Sequence, residues 1–408
     1  MLFRSFKALE DASPDFYEMK HECHMWDDIQ VPSFIEMQGY GQISYVNTQY
    51  LWEAHEEVEP GDIPHDYNPV GEYVRYFKLP GEFMDQPVCI RFDGVETGMA
   101  LWLNGHYIGY SEDSFTPSEF DLTEFIDYKG ENKLAVAVFK FTSGSWLEDQ
   151  DFFRFSGIFR DVTLFTVPRI HIEDMCVKTK LDKEYRDAVL HVALQMSGAG
   201  KVKYELNDRY GESVIKSWKK SGQDVIIEHK VPNPLKWSAE KPHLYELIIR
   251  VYDDSDVLQE IVCQRVGFRS FEIKGHKMLI NGKRIVFRGV DRHEFSDIEG
   301  RAIDEYAINE DLINMKKNNI NAVRTSHYPN QTHFYDMCDR LGLYVIDETN
   351  LETHGTWDPI WRKLRPVEYA VPGDRREYQE NIIDRGHNMY MRDKNHPSVL
   401  MWSLGNES

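Results

Sequence analysis

Apolar and polar residues alternate most regularly between Val88 and Phe141, where "VCIRFDG", "MALWLNGHYIGY" and "KLAVAVFKF" carry the two-residue period of strands. Asn104 and Gly105 supply the two-residue turn of a hairpin, and an antiparallel β-sandwich is predicted. A second β-rich stretch runs from about Arg169 to Phe271. There "AVLHVALQM", "KVKYEL", "DVIIEHKV", "LYELIIRVY" and "EIVCQRVGF" are separated by turn residues, as in an immunoglobulin-like module. Val167, Pro168 and Arg169 form the expected hinge between the two.

Beyond Lys274 the period changes. "RIVFRGV" reads as a strand, and the next segment carries Ile308, Leu312 and Met315 at helical spacing behind an Asp304 cap. "INAVRTSH" is a second strand. A helix follows with Phe334, Cys338 and Leu341 on one face, Thr332 as its cap and Gly342 as its stop. "LYVID" is a third strand, and a long helix from about Arg375 to Arg392 leads into the fourth, the apolar run Val399 to Leu404, which reads as buried on both faces. Four strand–helix alternations predict a parallel sheet. Each strand ends on polar residues: His293 and Glu294, then His327, then Glu352 and His354, then Asn406 and Glu407.

Composition narrows the partners. At 408 residues, 41% hydrophobic and 28% charged, the chain supports two or three domains with cores of their own. A formal net charge of -21 argues against nucleic acid and anionic membrane, both of which select clustered Lys and Arg. A neutral small molecule is the easiest substrate to reconcile with it. No apolar run approaches the ~20 residues of a spanning helix, and the opening segment lacks an apolar signal core, so the cytoplasm is the expected address. Five scattered cysteines without C-x-x-C spacing read as reduced, mostly buried thiols.

Two stretches carry candidate chemistry. Glu352 and His354 stand two apart on an expected extended loop, so their side chains can face one way. With Glu407 near, they make an acceptable Mg²⁺ set of two carboxylates and an imidazole; the alternative is a plain surface pair. In "WLEDQDFFRFSGIFRDV", Glu148, Asp149 and Asp151 lie among aromatic residues, an expensive place for unpaired carboxylates. They read either as a loop paired with Arg154 and Arg160 or as a sugar or cation site.

The motifs "NGHYIGYSEDSFTPSEFDLT", "LEDQDFFRFSGIFRDV", "RGVDRHE", "RTSHYPN", "DETNLETHG" and "WSLGNES", in this order, resemble the large bacterial β-galactosidases of glycoside hydrolase family two, from about Val31 to Ser408. The resemblance implies a jelly-roll sugar-binding β-sandwich over 1–168, an immunoglobulin-like β-sandwich over 169–271 and the first half of a (β/α)8 TIM barrel over 272–408. It implies retaining hydrolysis of β-galactosides such as lactose. Glu407 would be the acid/base, and His293 would stabilise the transition state. Asn47, Asp151, His327 and Asn406 would bind the sugar. Glu352, His354 and Glu407 would hold magnesium, and Asp151 a sodium ion.

Asp291 departs from the resemblance, since many relatives have Asn there. The attacking carboxylate is expected on a later strand beyond Ser408. The chain alone is therefore expected to be inactive and to associate, working as a homo-oligomer or with a chain that supplies the rest of the barrel. The alternatives are a β-glucuronidase, β-mannosidase or β-glucosidase of the same family, or a non-catalytic carbohydrate-binding subunit.

Overall fold

The computed structural model describes all 408 residues. Its amino-terminal part is a β-sandwich. One sheet places Val70–Phe77, Asn132–Phe139 and Gly98–Leu103 side by side, and a second pairs Val88–Phe92 with Ser118–Asp121 and Val162–Thr166, all antiparallel. The Asn104–Gly105 hairpin is present, with φ of 52° and 88° at the two residues, as the favoured two-residue turn requires.

A second sandwich follows. Ile172–Leu181, Ala188–Met196 and Asp224–Val231 form one sheet; Ser213–Ser221, Gly200–Asn207, Tyr245–Tyr252 and Leu258–Val266 form the other. Along Ala188–Met196 the apolar residues Leu190, Val192, Leu194 and Met196 point into a shared core with Val202, Tyr204, Leu206, Leu247, Ile249 and Val251. Two strands of this module, Ile172–Leu181 and Ser213–Ser221, were not expected from the pattern. Both carry lysines and lack clean alternation, because much of each faces water.

The carboxyl-terminal part is a four-stranded parallel sheet in sequential order: β1 (Gly289–Arg292), β2 (Ala322–Thr325), β3 (Tyr344–Glu348) and β4 (Val399–Ser403). It is joined by α1 (Glu305–Lys317), α2 (Thr332–Leu341), α3 (His354–Trp361) and α4 (Gln379–Asp393). Asp304 caps α1 by accepting the Ala307 N–H at 2.8 Å. Thr332 is the first helical residue of α2 and not its cap; the extended residue before the helix is Gln331.

The first strand also differs from expectation. Within "RIVFRGV", Lys283–Arg284 closes a small antiparallel sheet with Phe271–Lys274 and Lys277–Ile280. Ile285 and Phe287 pack on Trp237 and Tyr344, so parallel pairing begins only at Gly289. β4 is not buried on both faces: Trp402 is 37% and Leu404 81% exposed. It has a single neighbour, β3, so one side of its apolar run goes uncovered. Of the five free cysteines, only Cys23 and Cys338 are buried.

The three parts are tied together through the segments that lead into the strand ends. Asp149 N–H donates to Glu352 O at 3.0 Å, and Glu352 N–H to Leu147 O at 2.8 Å, so the first sandwich holds the chain just after β3. Below β4, Arg269 donates to Pro397 O and to Val399 O, both at 2.6 Å, and Asn395 Oδ1 accepts the Val177 N–H at 2.8 Å. No helix is long and apolar enough to cross a membrane.

Candidate active site

The polar strand ends gather at one end of the parallel sheet. Glu407 lies four residues past β4, at the far side of a turn that needs glycine. Gly405 has φ +139°, and a Cβ there would sit 2.6 Å from Leu351 O. That close approach lets Asn406 N–H donate to Leu351 O at 2.9 Å. Glu407 itself has φ +41°, a left-handed conformation that costs about 1–3 kcal/mol at a non-glycine residue and recurs at functional sites.

Glu352, His354 and Glu407 come together, each offering a donor atom within 4.8 Å of the other two. Glu352 is extended, but His354 opens α3 rather than continuing a loop. Its ring stacks on Trp357, with centroids 4.4 Å apart and planes 5° from parallel, while the Trp357 indole N–H donates to Glu407 O at 2.6 Å. His354 Nδ1 abuts the Glu407 carboxylate without the geometry of a hydrogen bond and is otherwise unpartnered. Burial, with Asp149 and Glu407 adding to it, pushes the Glu352 carboxyl up to about 8. The only side-chain donor to Glu352 is Asn406 Nδ2, at 3.1 Å. Two carboxylates and an imidazole without a lysine or arginine at ion-pair distance suit a small hard cation, so these residues fit magnesium.

Across Asn406 lies a second network. Glu348, at the end of β3, is fully buried and accepts from His327 Nδ1 at 2.6 Å, Arg324 Nε at 2.6 Å, Arg324 Nη2 at 3.1 Å and Ser403 Oγ at 2.7 Å. Burial alone would raise its carboxyl; these donors outweigh it and leave Glu348 below the usual range. His293 stands beside His327, with ring centroids 5.5 Å apart. Burial first, then the nearby His327 and Arg301, lower His293 to about 4, so it is a neutral imidazole at pH 7.

The "LEDQD" segment divides. Glu148 is buried and pairs with Arg385 at 2.6 Å; Asp149 is buried, pairs with Arg154 at 2.8 Å and accepts the Gly355 N–H at 2.6 Å. The paired-loop expectation therefore holds for Asp149 with Arg154, whereas Arg160 pairs with Glu294 at 2.9 Å and takes that strand-end carboxylate out of the site. Asp151 is exposed, accepts a hydrogen bond from Tyr45, and lies close enough to His293 to act on its charge. Asn47, also exposed, follows Val46, the residue paired with Phe152. Asp151 belongs to neither group of three His, Cys, Asp or Glu side chains with donor atoms close enough to share a metal ion.

Pattern reading missed Arg324, Glu348, Trp357 and Tyr45. For the first two the signal was a charge inside an apolar strand, which requires a partner when buried.

Three modules, two of them sandwiches, thus bring polar side chains together at the strand ends of a parallel sheet, where enzymes built on such sheets place their chemistry. Residues 2–168 match the sugar binding domain of glycosyl hydrolases family 2, residues 170–269 a second model of that family, and residues 271–408 its TIM barrel domain. The chain belongs to glycosyl hydrolases family 2. It is 49% identical over 399 residues to a beta-galactosidase of Halalkalibacterium halodurans, covering 97% of this chain and 39% of that protein. A beta-galactosidase large subunit of Lactobacillus acidophilus is 41% identical over all of this chain and 67% of its own length. Among solved structures, a Bifidobacterium dentium beta-glucuronidase superposes with a TM-score of 0.79 at 24% identity, over 100% of this chain and 67% of that one. The likeness to that structure is one of fold. The chain spans about 39% of the length of the first curated relatives it matches.

Proposed function

We propose that this chain contributes the acid/base side of a retaining β-galactosidase site. The observation that carries the reading is the convergence of Glu407 with Glu352 and His354 at the strand ends, beside Asn406. In a retaining glycosidase one carboxylic acid protonates the leaving oxygen while a second carboxylate, ~5–5.5 Å away, attacks the anomeric carbon. Glu407 takes the first role. Its side chain is 47% exposed and accepts no hydrogen bond, so a glycosidic oxygen can reach it. After attack it withdraws a proton from water.

Neither nearby carboxylate serves as the nucleophile. Glu348 is saturated by four donor contacts, and Glu352 is taken up in the set with His354 and Glu407 assigned to magnesium. As the family resemblance implies, we place the attacking carboxylate on a strand outside these 408 residues. The relatives named large subunits support a reading in which the working enzyme includes another chain.

A magnesium ion held by Glu352, His354 and Glu407 would fix the acid/base and draw negative charge from it. His293, being neutral, places no positive charge beside the oxocarbenium-like sugar. Asp151, with Tyr45 and Asn47, offers acceptors and donors to sugar hydroxyls, and its carboxylate opposes the extra carboxylate of a glucuronide.

The test is a chimera in which the portion of the H. halodurans β-galactosidase beyond the matched segment follows Ser408. It should hydrolyse lactose and nitrophenyl galactoside, and nitrophenyl glucuronide poorly. Glu407→Gln should lower lactose turnover by about 10²–10⁴-fold. Glycosylation by the activated aryl galactoside should fall far less. Equal losses in that step would remove the acid role, and galactose binding without hydrolysis would favour a non-catalytic subunit.

A further inference from the structure

We propose that Glu348 is a positioning residue that sets which ring nitrogen of His327 carries the proton and fixes the direction of the Asn406 amide. The inference deepens the glycosidase reading of this cleft and rests on it. Ionised Glu348 can only accept hydrogen bonds, so His327 Nδ1, 2.6 Å from Oε1, carries the proton. Nε2, on the opposite edge of a ring 17% exposed, is left with its lone pair for a ligand hydroxyl while the ring is neutral.

The same carboxylate grips Arg324 through two nitrogens. Arg324 Nη2 also donates to Asn406 Oδ1 at 3.0 Å, and Asn406 Nδ2 donates to Glu352 Oε2 at 3.1 Å. The amide cannot turn over without breaking both bonds. One N–H of Asn406 then remains free, so the residue meets a sugar oxygen as a donor. Ser403 Oγ, from β4, completes the set, so Glu348 joins β2, β3 and β4 with the segment that carries His327. A chain of hydrogen bonds thus runs from His327 through Glu348, Arg324 and Asn406 to Glu352, from the proposed sugar contact to the proposed metal ligand.

Glu348→Gln separates this role from a merely structural one. The amide has a single oxygen, and the shortest arginine bond, Arg324 Nε to Oε2 at 2.6 Å, selects it. The amide nitrogen then replaces Oε1 and faces His327 Nδ1, which must accept, moving the ring proton to Nε2. Tautomers are read directly from long-range proton–nitrogen NMR correlations of the 408-residue chain labelled at its 16 histidines, with His327 assigned by the loss of its signals in His327→Gln.

The expected result is the Nδ1–H form in the wild-type chain and conversion to the Nε2–H form in Glu348→Gln. Glu348→Asp, which retains the charge, should restore the Nδ1–H form at least in part. An Nε2–H tautomer in the wild-type chain overturns the proposal without recourse to any variant, as does an unchanged His327 spectrum in a folded Glu348→Gln chain. Either result leaves the Glu407 role standing, because that is decided by leaving-group dependence in the chimera.

Discussion

Two carboxylate groups meet at Asn406, and they are built in opposite ways. Glu348 is surrounded by N–H and O–H donors, including a guanidinium, and its charge is balanced by the protein. Glu352 has one amide donor, Glu407 has no hydrogen bond to its carboxylate, and the only cationisable group in contact is the His354 imidazole, with Arg154 acting on Glu352 from farther away. The first is a completed network whose job is orientation. The second places two carboxyl groups in a partly buried place without a lysine or arginine at ion-pair distance, so that a bound cation would favour their ionised forms. Burial of Glu352 disfavours its ionised form.

The largest effect should come from disturbing the turn that sets one group against the other. Gly405→Ala puts a methyl group against Leu351 O in a backbone conformation that alanine avoids. Asn406 and Glu407 must then shift away from Glu352 and His354. In the chimera, lactose turnover should fall by about 10²-fold or more, the scale of a misplacement of roughly 1 Å. The His327 tautomer in the 408-residue chain should be unchanged. A turnover loss accompanied by an altered His327 would mean that the two groups are one unit.

Next in size is the response to metal. Magnesium should raise the melting temperature of the 408-residue chain at pH 7, and a ligand present at a hundredfold excess over its Kd stabilises by about 2.7 kcal/mol. Glu352→Gln should abolish most of that shift, whereas Ser403→Ala, which removes a donor to Glu348 and a long 3.5 Å contact to Gly405 O, should retain it. Absence of a magnesium-dependent shift in the parent chain would break the contrast on the Glu352 side.

Much of this architecture was legible from the two-residue and helical periods, and the reasons for the misses are local. The Asn104–Gly105 hairpin announces itself because one-sided burial enforces a two-residue period, and β2 and β3 because their burial keeps them mostly apolar. Ser213–Ser221 does not, since most of its side chains face water and nothing selects for apolar residues there. The start of β1 was misplaced because Ile285 and Phe287 are apolar for a different reason, packing on Trp237 and Tyr344 below the sheet. In "LEDQD" the residue types could not say which acid was free; that depends on Arg154 following in the same segment and Arg385 arriving from α4. The joining of Glu352, His354 and Glu407 was readable only as spacing plus resemblance, and the turn at Gly405 is what makes it physical.

A smaller effect should appear in the pH dependence of stability, with opposite signs on the two sides. The Glu352 carboxyl is raised in the folded chain, so its contribution is fully present below the ordinary carboxylate pKa, ~4.3, and is lost as pH rises through about 8. The Glu348 carboxyl is lowered, so its contribution is present above that ordinary value and is lost as pH falls through its folded value. With EDTA present, melting temperatures between pH 5 and pH 8 should decline, and Glu352→Gln should flatten that decline. Acid-side loss below pH 5 should instead be reduced by Glu348→Gln. The same slope for both variants would erase the distinction between a balanced and an unbalanced carboxylate.

The smallest change tests how Glu407 is held. Trp357 does two things at once: its ring stacks flat against His354, and its indole N–H donates to Glu407 O. Trp357→Phe keeps an aromatic face for His354 but removes the donor. One hydrogen bond of this kind contributes about 1 kcal/mol, so magnesium affinity and lactose turnover in the chimera should each fall by only about 5-fold. The pH dependence assigned to Glu352 should persist, because the substitution leaves its burial and its Asn406 contact in place. Trp357→Ala should cost more than Trp357→Phe, the excess measuring the stacking on His354. If the two variants behave alike, the main-chain bond alone holds Glu407 against His354, and the ring only fills space.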